Sequence, residues 1–112
     1  MTSPPVCCQV TTTLPDRATA DRIAATMVDE GWAACGQVVG PIDSTYRWEG
    51  KVERATEWYC HLKTTLGCAA ALRARLRELH PYDTPEIIAV RIADGDPDYL
   101  RWVEASVTSR ES

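Results

Sequence analysis

Residues 44–65 read STYRWEGKVERATEWYCHLKTT, and their alternation decides the fold. Ser44, Tyr46 and Trp48 alternate with Thr45, Arg47 and Glu49. After Gly50 the pattern returns, with Trp58, Cys60 and Leu62 on one side and Glu57, Tyr59, His61 and Lys63 on the other. Period-two alternation around a glycine predicts two antiparallel strands joined by a tight turn. The first of them starts near residue 33 and meets Gly40-Pro41, where a proline that cannot donate to a ladder implies a bulge or a sheet edge. Both strands exceed the usual five or six residues, so their tips overhang a small sheet. An overhanging hairpin is marginal alone, and its unpaired edges invite a partner. This predicts oligomerisation through the tip that carries Tyr46 and Trp48.

On the N-terminal side, residues 6–14 alternate and are rich in β-branched side chains, which predicts a first strand. Asp16 or Thr19 can cap a helix in which Ala20, Ile23, Ala24, Met27 and Val28 form one apolar stripe ending at Gly31. On the C-terminal side, Ala69, Leu72, Leu76 and Leu79 predict a second helix from about Gly67 to His80, stopped by Pro81. Residues 86–92 predict the last strand, with Ile88, Val90 and Ile92 on one face. Asp96 and Pro97 open a short third helix, on one side of which Tyr99, Leu100, Trp102 and Val103 cluster. The order β-α-β-β-α-β-α predicts an α+β, ferredoxin-like βαββαβ sandwich with an extended hairpin between its second and third strands. Two helices cover one face of an antiparallel sheet, and the other face lacks helices and needs cover from another copy. The 112 residues make one domain, 1–112, with an ordered core of about 6–107 and frayed residues after about Val107.

Composition narrows the function. The chain is 45% hydrophobic and 25% charged, with a net charge of -4. This is a globular balance that argues against nonspecific nucleic-acid binding. The basic run Arg73, Arg75, Arg77 fans around its helix as a solvated face. No apolar run approaches a membrane span and the first residues lack the pattern of a signal peptide. A cytoplasmic location is expected, where Cys7, Cys8, Cys35, Cys60 and Cys68 remain free thiols. The aromatic residues are four Trp and four Tyr with no Phe. Every ring therefore carries a polar handle, as suits seams between subunits.

No nucleotide-binding or hydrolase signature occurs, so no catalytic residue is assigned and an enzyme is not expected. Along a strand Glu57 and His61 are about 13 Å apart, too far to share an ion. His80 ends a helix, where it can interact with the helix C-terminus or ligate a metal. Lys51, Glu57 and Lys63 on the hairpin can make ion pairs across strands or subunits, or bind a ligand.

Five motifs then fall in order: Ala34-Cys35, Tyr46-Arg47-Trp48-Glu49-Gly50-Lys51, Leu62-Lys63-Thr64-Thr65, His80-Pro81-Tyr82-Asp83-Thr84-Pro85-Glu86 and Asp98-Tyr99-Leu100-Arg101-Trp102. In order and spacing they resemble the CutA family of divalent-cation tolerance proteins from about Val6 to Val107. The resemblance implies a PII-like homotrimer in which strands pair across subunits and the long hairpin reaches a neighbour. It also implies a response to, or weak binding of, copper and other divalent metal ions. Some members of the family look able to hold copper through a Cys three residues before the Pro-Asp pair and a His-His pair before Pro-Tyr. Here those positions hold Thr12 and Leu79, and only His80 remains. His80 and Cys35 are the metal candidates. Trp48, Glu49, Lys51, Glu57, Lys63, Tyr82, Tyr99 and Trp102 are expected at a ligand pocket or trimer interface. Copper or another divalent ion is the cofactor considered. Two other readings stand beside metal tolerance. One is a PII-like sensor that binds a small anion or nucleotide in the intersubunit cleft. The other is an assembly protein without a small ligand.

Overall fold

The computed structural model describes residues 3–107, and residues 1–2 and 108–112, which include the expected fraying, lie outside it. Its elements are β1 (Cys7–Leu14), α1 (Arg17–Asp29), β2 (Cys35–Trp48), β3 (Lys51–Thr65), α2 (Ala69–Leu79), β4 (Ile87–Arg91) and α3 (Pro97–Ser106). The four strands form one sheet in the order β2-β3-β1-β4, antiparallel at every pairing. This is the α+β arrangement that the element order implies.

Local chemistry accounts for the boundaries. Asp16 Oδ1 accepts the Thr19 N–H at 2.7 Å and opens α1. Asp96 accepts from the Tyr99 N–H and opens α3, with Pro97 in its first turn. The second helix starts at Ala69, later than expected, because Leu66–Cys68 are spent in a turn in which the Cys68 N–H reaches Thr65. At the hairpin tip Glu49 and Gly50 both take positive φ, 49° and 79°, the geometry of a two-residue turn whose twist matches its strands.

One face of the sheet makes the core. Cys8, Val10, Leu14, Cys60 and Leu62 pack beneath Ala20, Ile23 and Met27 of α1 and Leu72 and Leu76 of α2. The opposite face is not bare, which corrects the expectation that it lacks helices. There α3 seats Leu100 and Val103 against Cys7 and Ala34. The expected cluster of four on α3 therefore splits: Leu100 and Val103 are buried, while Tyr99 and Trp102 stay 40% and 47% exposed. The rest of that face remains open, and Ile88 and Val90 of β4 lie on it half exposed.

The strand β2 slips register between Val39 and Ile42, at the cis Gly40-Pro41 bond. A Cβ at Gly40 would clash with the Trp58 ring, so glycine there is a packing requirement. Beyond the slip the sheet narrows. The last β1–β3 pair is Leu14 with Trp58, whereas β2 and β3 continue to Trp48 opposite Lys51. Residues 42–48 and 51–57 therefore project as a two-stranded arm, and the molecule measures 53 × 25 × 24 Å. Both outer strands, β2 and β4, have one unpaired edge.

Candidate functional site

Three groups of side chains carry the candidate residues. The first lies where α2 stops. Pro81 ends the helix and leaves His80 as its C-cap in an extended conformation, only 8% exposed. The Tyr82 N–H donates to His80 Nδ1 at 3.1 Å, which places the imidazole proton on Nε2. That nitrogen donates toward Thr12 Oγ1 at 2.9 Å and the Thr13 carbonyl at 3.0 Å. Burial holds the His80 pKa below the ordinary value, outweighing the Thr13 carbonyl and Glu57, which favour the charged form. His80 is thus a neutral imidazole with both nitrogens engaged.

Tyr82 extends this network. Its ring lies 5.0 Å from that of His80, and its hydroxyl donates to Glu57 Oε2 at 2.8 Å. Burial first, then the Glu57 carboxylate, pushes the phenol pKa up. Glu57 is 7% exposed and stands opposite Ile42 at the neck of the arm. The chain Thr13–His80–Tyr82–Glu57 therefore ties the end of β1 to the loop after α2 and to the base of the arm. Its visible role is to hold three elements in place.

The second group lies at the start of β2. Cys35 Sγ is 3.5 Å from the Tyr99 hydroxyl, and the Tyr99 and Trp102 rings are 5.6 Å apart. The hydrogen bond to Cys35, then burial, pushes the Tyr99 pKa up to about 12. Of the five free cysteines, Cys35 alone is not buried. Burial raises the pKa of Cys7, Cys8 and Cys60, which keeps them as protonated, unreactive thiols.

The third group occupies the open face of the sheet. Lys63 Nζ donates to Gln37 Oε1 at 2.9 Å. His61 Nδ1 lies 2.9 Å from Thr11 Oγ1 and 3.3 Å from Gln9 Nε2, and its ring stacks on Tyr59 at 5.2 Å.

These groups stay apart within one chain. Cys35 pairs with Lys63, which pairs with Gln9, while His80 is bonded at Thr12 and Thr13, three to four residues, or about 10–13 Å, further along β1. His80 and Cys35 therefore do not converge, and among the described residues no group of three or more His, Cys, Asp or Glu could hold a metal ion. Lys51 faces Trp48 at the tip of the arm, about 40 Å along β3 from Lys63. Glu49 is a turn residue beside it, and Trp48 is 51% exposed. A groove of about 250 Å³ between α2 and β4 is lined by Val10, Leu66, Ala69, Arg73, Ile88 and Ala89 and touches none of the candidates.

Sequence reasoning misses Thr12 and Thr13 as the partners of His80, and Gln9 and Thr11 as those of His61. The available signal is the run Thr11-Thr12-Thr13 in a strand whose other residues, apart from Gln9, are apolar. Hydroxyls buried there need partners. Trp32, which composition leaves without a role, packs on the core. Its Nε1–H donates to Glu30 at 2.9 Å, and Arg75 clamps the same carboxylate at 2.8 and 2.9 Å.

Comparison with known proteins adds the family context. The family described as CutA1 divalent ion tolerance protein matches residues 8–106. The Divalent-cation tolerance protein CutA of Escherichia coli is 43% identical over 95 residues, covering 85% of each chain. The crystal structure of CutA1 from Oryza sativa superposes with a TM-score of 0.91 at 35% identity, covering 99% of this chain and 100% of that one. The divalent cation tolerance protein CutA of Archaeoglobus fulgidus, described as periplasmic, gives 0.87 at 34% identity over 91% of this chain and 99% of that one.

Proposed function

This chain belongs to the CutA1 divalent ion tolerance family, and from that premise we propose that it is a homotrimeric, non-catalytic protein of divalent-cation tolerance in the cytoplasm. The observation that carries the reading is the family match along residues 8–106. Unpaired edges on β2 and β4 support association between copies, since head-to-tail pairing of such edges gives a ring where the rotation closes. The protruding arm and its exposed Tyr46, Trp48 and Val52 support contact with a neighbour. Five free cysteines support a reducing compartment, and among the described residues no helix is long and apolar enough to cross a membrane.

Contact with copper or a similar ion is weak in this reading and falls to Cys35. Its thiol is the accessible soft ligand, whereas both His80 nitrogens are already bonded. Titration calorimetry with copper and zinc, alongside light scattering, tests this proposal. The expected result is a trimeric mass and weak copper heat that Cys35→Ser removes and His80→Gln leaves. A monomeric mass overturns the assembly, and absence of heat in the unaltered protein overturns the metal contact.

A further inference from the structure

The open sheet face carries a second histidine that the metal-tolerance reading does not use. His61 lies on β3, an inner strand of the sheet. It is on the face opposite α1 and α2, beyond the end that α3 covers. Its Nδ1 is engaged by Thr11 Oγ1 at 2.9 Å and by Gln9 Nε2 at 3.3 Å, and for Nε2 no partner occurs among the described residues. The groups around it are uncharged on three sides. Gln9 and Thr11 face it from β1, Gln37 is its register partner on β2, and Ile88 and Val90 follow on β4. On β3 itself Tyr59 stacks against it, Lys63 stands two residues away, and Glu57 lies four residues, about 13 Å, along the strand. A protonated His61 thus becomes a second cation beside Lys63, with the nearest carboxylate on its own face already bonded to Tyr82.

We infer that His61 makes the assembly of this chain acid-sensitive, because a second copy covering the open face must desolvate an imidazolium once the ring is protonated. This rests on the homotrimer proposed above. Desolvating a charge without a counter-ion is costly. The direction is already set in the single chain, where burial and then Lys63 hold the His61 pKa below its ordinary value, and covering the face lowers it further. A pKa that falls on assembly gives a contribution fully present above the pKa of the separated chain and lost as pH falls through it. With three histidines per trimer, the association constant approaches a loss of about a thousandfold per pH unit in that limit.

Sedimentation velocity over a dilution series at about pH 8 and about pH 5.5 spans the histidine range. Circular dichroism monitors the fold in parallel. For the unaltered chain, the concentration of half-dissociation rises at least about tenfold on acidification, with secondary structure retained. For His61→Gln it changes by less than about twofold, and His80→Gln retains the rise. An unchanged concentration in the unaltered chain, or the same rise in His61→Gln, overturns the inference while leaving the trimer standing. A monomer already present at about pH 8 overturns the inference and the trimer together. Should His61→Gln fold poorly, the ring titrates directly by NMR: a lower pKa in the assembled than in the diluted chain is expected, and equal values overturn the proposal.

Discussion

At the base of the β2–β3 hairpin Cys60 and Leu62 are fully buried, whereas at its tip Tyr46, Trp48 and Val52 are 44%, 51% and 63% exposed. The same two strands, in continuous register apart from the slip at Gly40-Pro41, belong to two environments. The base pairs with β1 in the sheet and packs beneath the helices, and it obeys core rules, under which a lost methylene group is felt. Among the described residues the tip has no third strand, and its rings are left about half exposed within one chain. The neck between them is held by Glu57 and Tyr82. The lesson is that one element serves folding at one end and recognition at the other, so substitutions along it report on different equilibria.

The largest break in this comparison comes at the base. Leu62→Ala is expected to lower stability by about 2–5 kcal/mol, read as a drop in urea midpoint at fixed chain concentration. Next comes the neck. Tyr82→Phe removes the donor to a buried carboxylate, an expected loss of about 1–3 kcal/mol, seen by thermal unfolding. His80 makes the same neck pH-dependent. Its folded pKa is depressed by burial, so its contribution is complete above the unfolded value, near 6.5. It is lost as pH falls below that, because the unfolded chain takes up the proton first. Urea midpoints that fall from about pH 7 to about pH 5.5 in the unaltered chain and stay flatter in His80→Gln check this. At the tip, Glu49→Asn relieves a left-handed residue, an expected gain of about 1 kcal/mol. Smallest for folding is Trp48→Ala, within about 0.5 kcal/mol of the chain's own stability, yet it is expected to lower the mass seen by light scattering. A large folding loss at Trp48, or an unchanged mass, removes the distinction between base and tip.

Much of the fold is legible from local pattern. Alternation marks the long hairpin, Asp16 and Asp96 announce their helices, and Pro81 stops α2, because each acts on residues within a turn or two. What escapes the sequence is non-local. The side of the sheet chosen by α3 depends on which of Tyr99, Leu100, Trp102 and Val103 turn inward, and helical spacing leaves the 99–102 and 100–103 faces equivalent until Cys7 and Ala34 meet one of them. The Tyr82–Glu57 bond joins residues 25 apart, and the His80–Thr12 bond residues 68 apart. Neither leaves a trace in spacing. The candidates that motif reading groups together are therefore divided by the structure between the neck, the start of β2 and the arm.

The sheet order β2-β3-β1-β4 also sets a timetable. The strand made first, β1, occupies an inner position, and both its partners are made much later: Cys7 pairs with Thr65 and Cys8 with Arg91. The β2–β3 hairpin, closed by two residues, is a local pairing, while β1 must cross a long loop to join it, a topology that folds slowly. On a ribosome moving at about 5–20 residues per second, β1 emerges several seconds before β3 is available and waits longer still for β4. During that interval its apolar face, Cys8, Val10 and Leu14, is exposed to solvent. The vulnerable moment for this chain is its own synthesis, when its central strand has not yet met a neighbour.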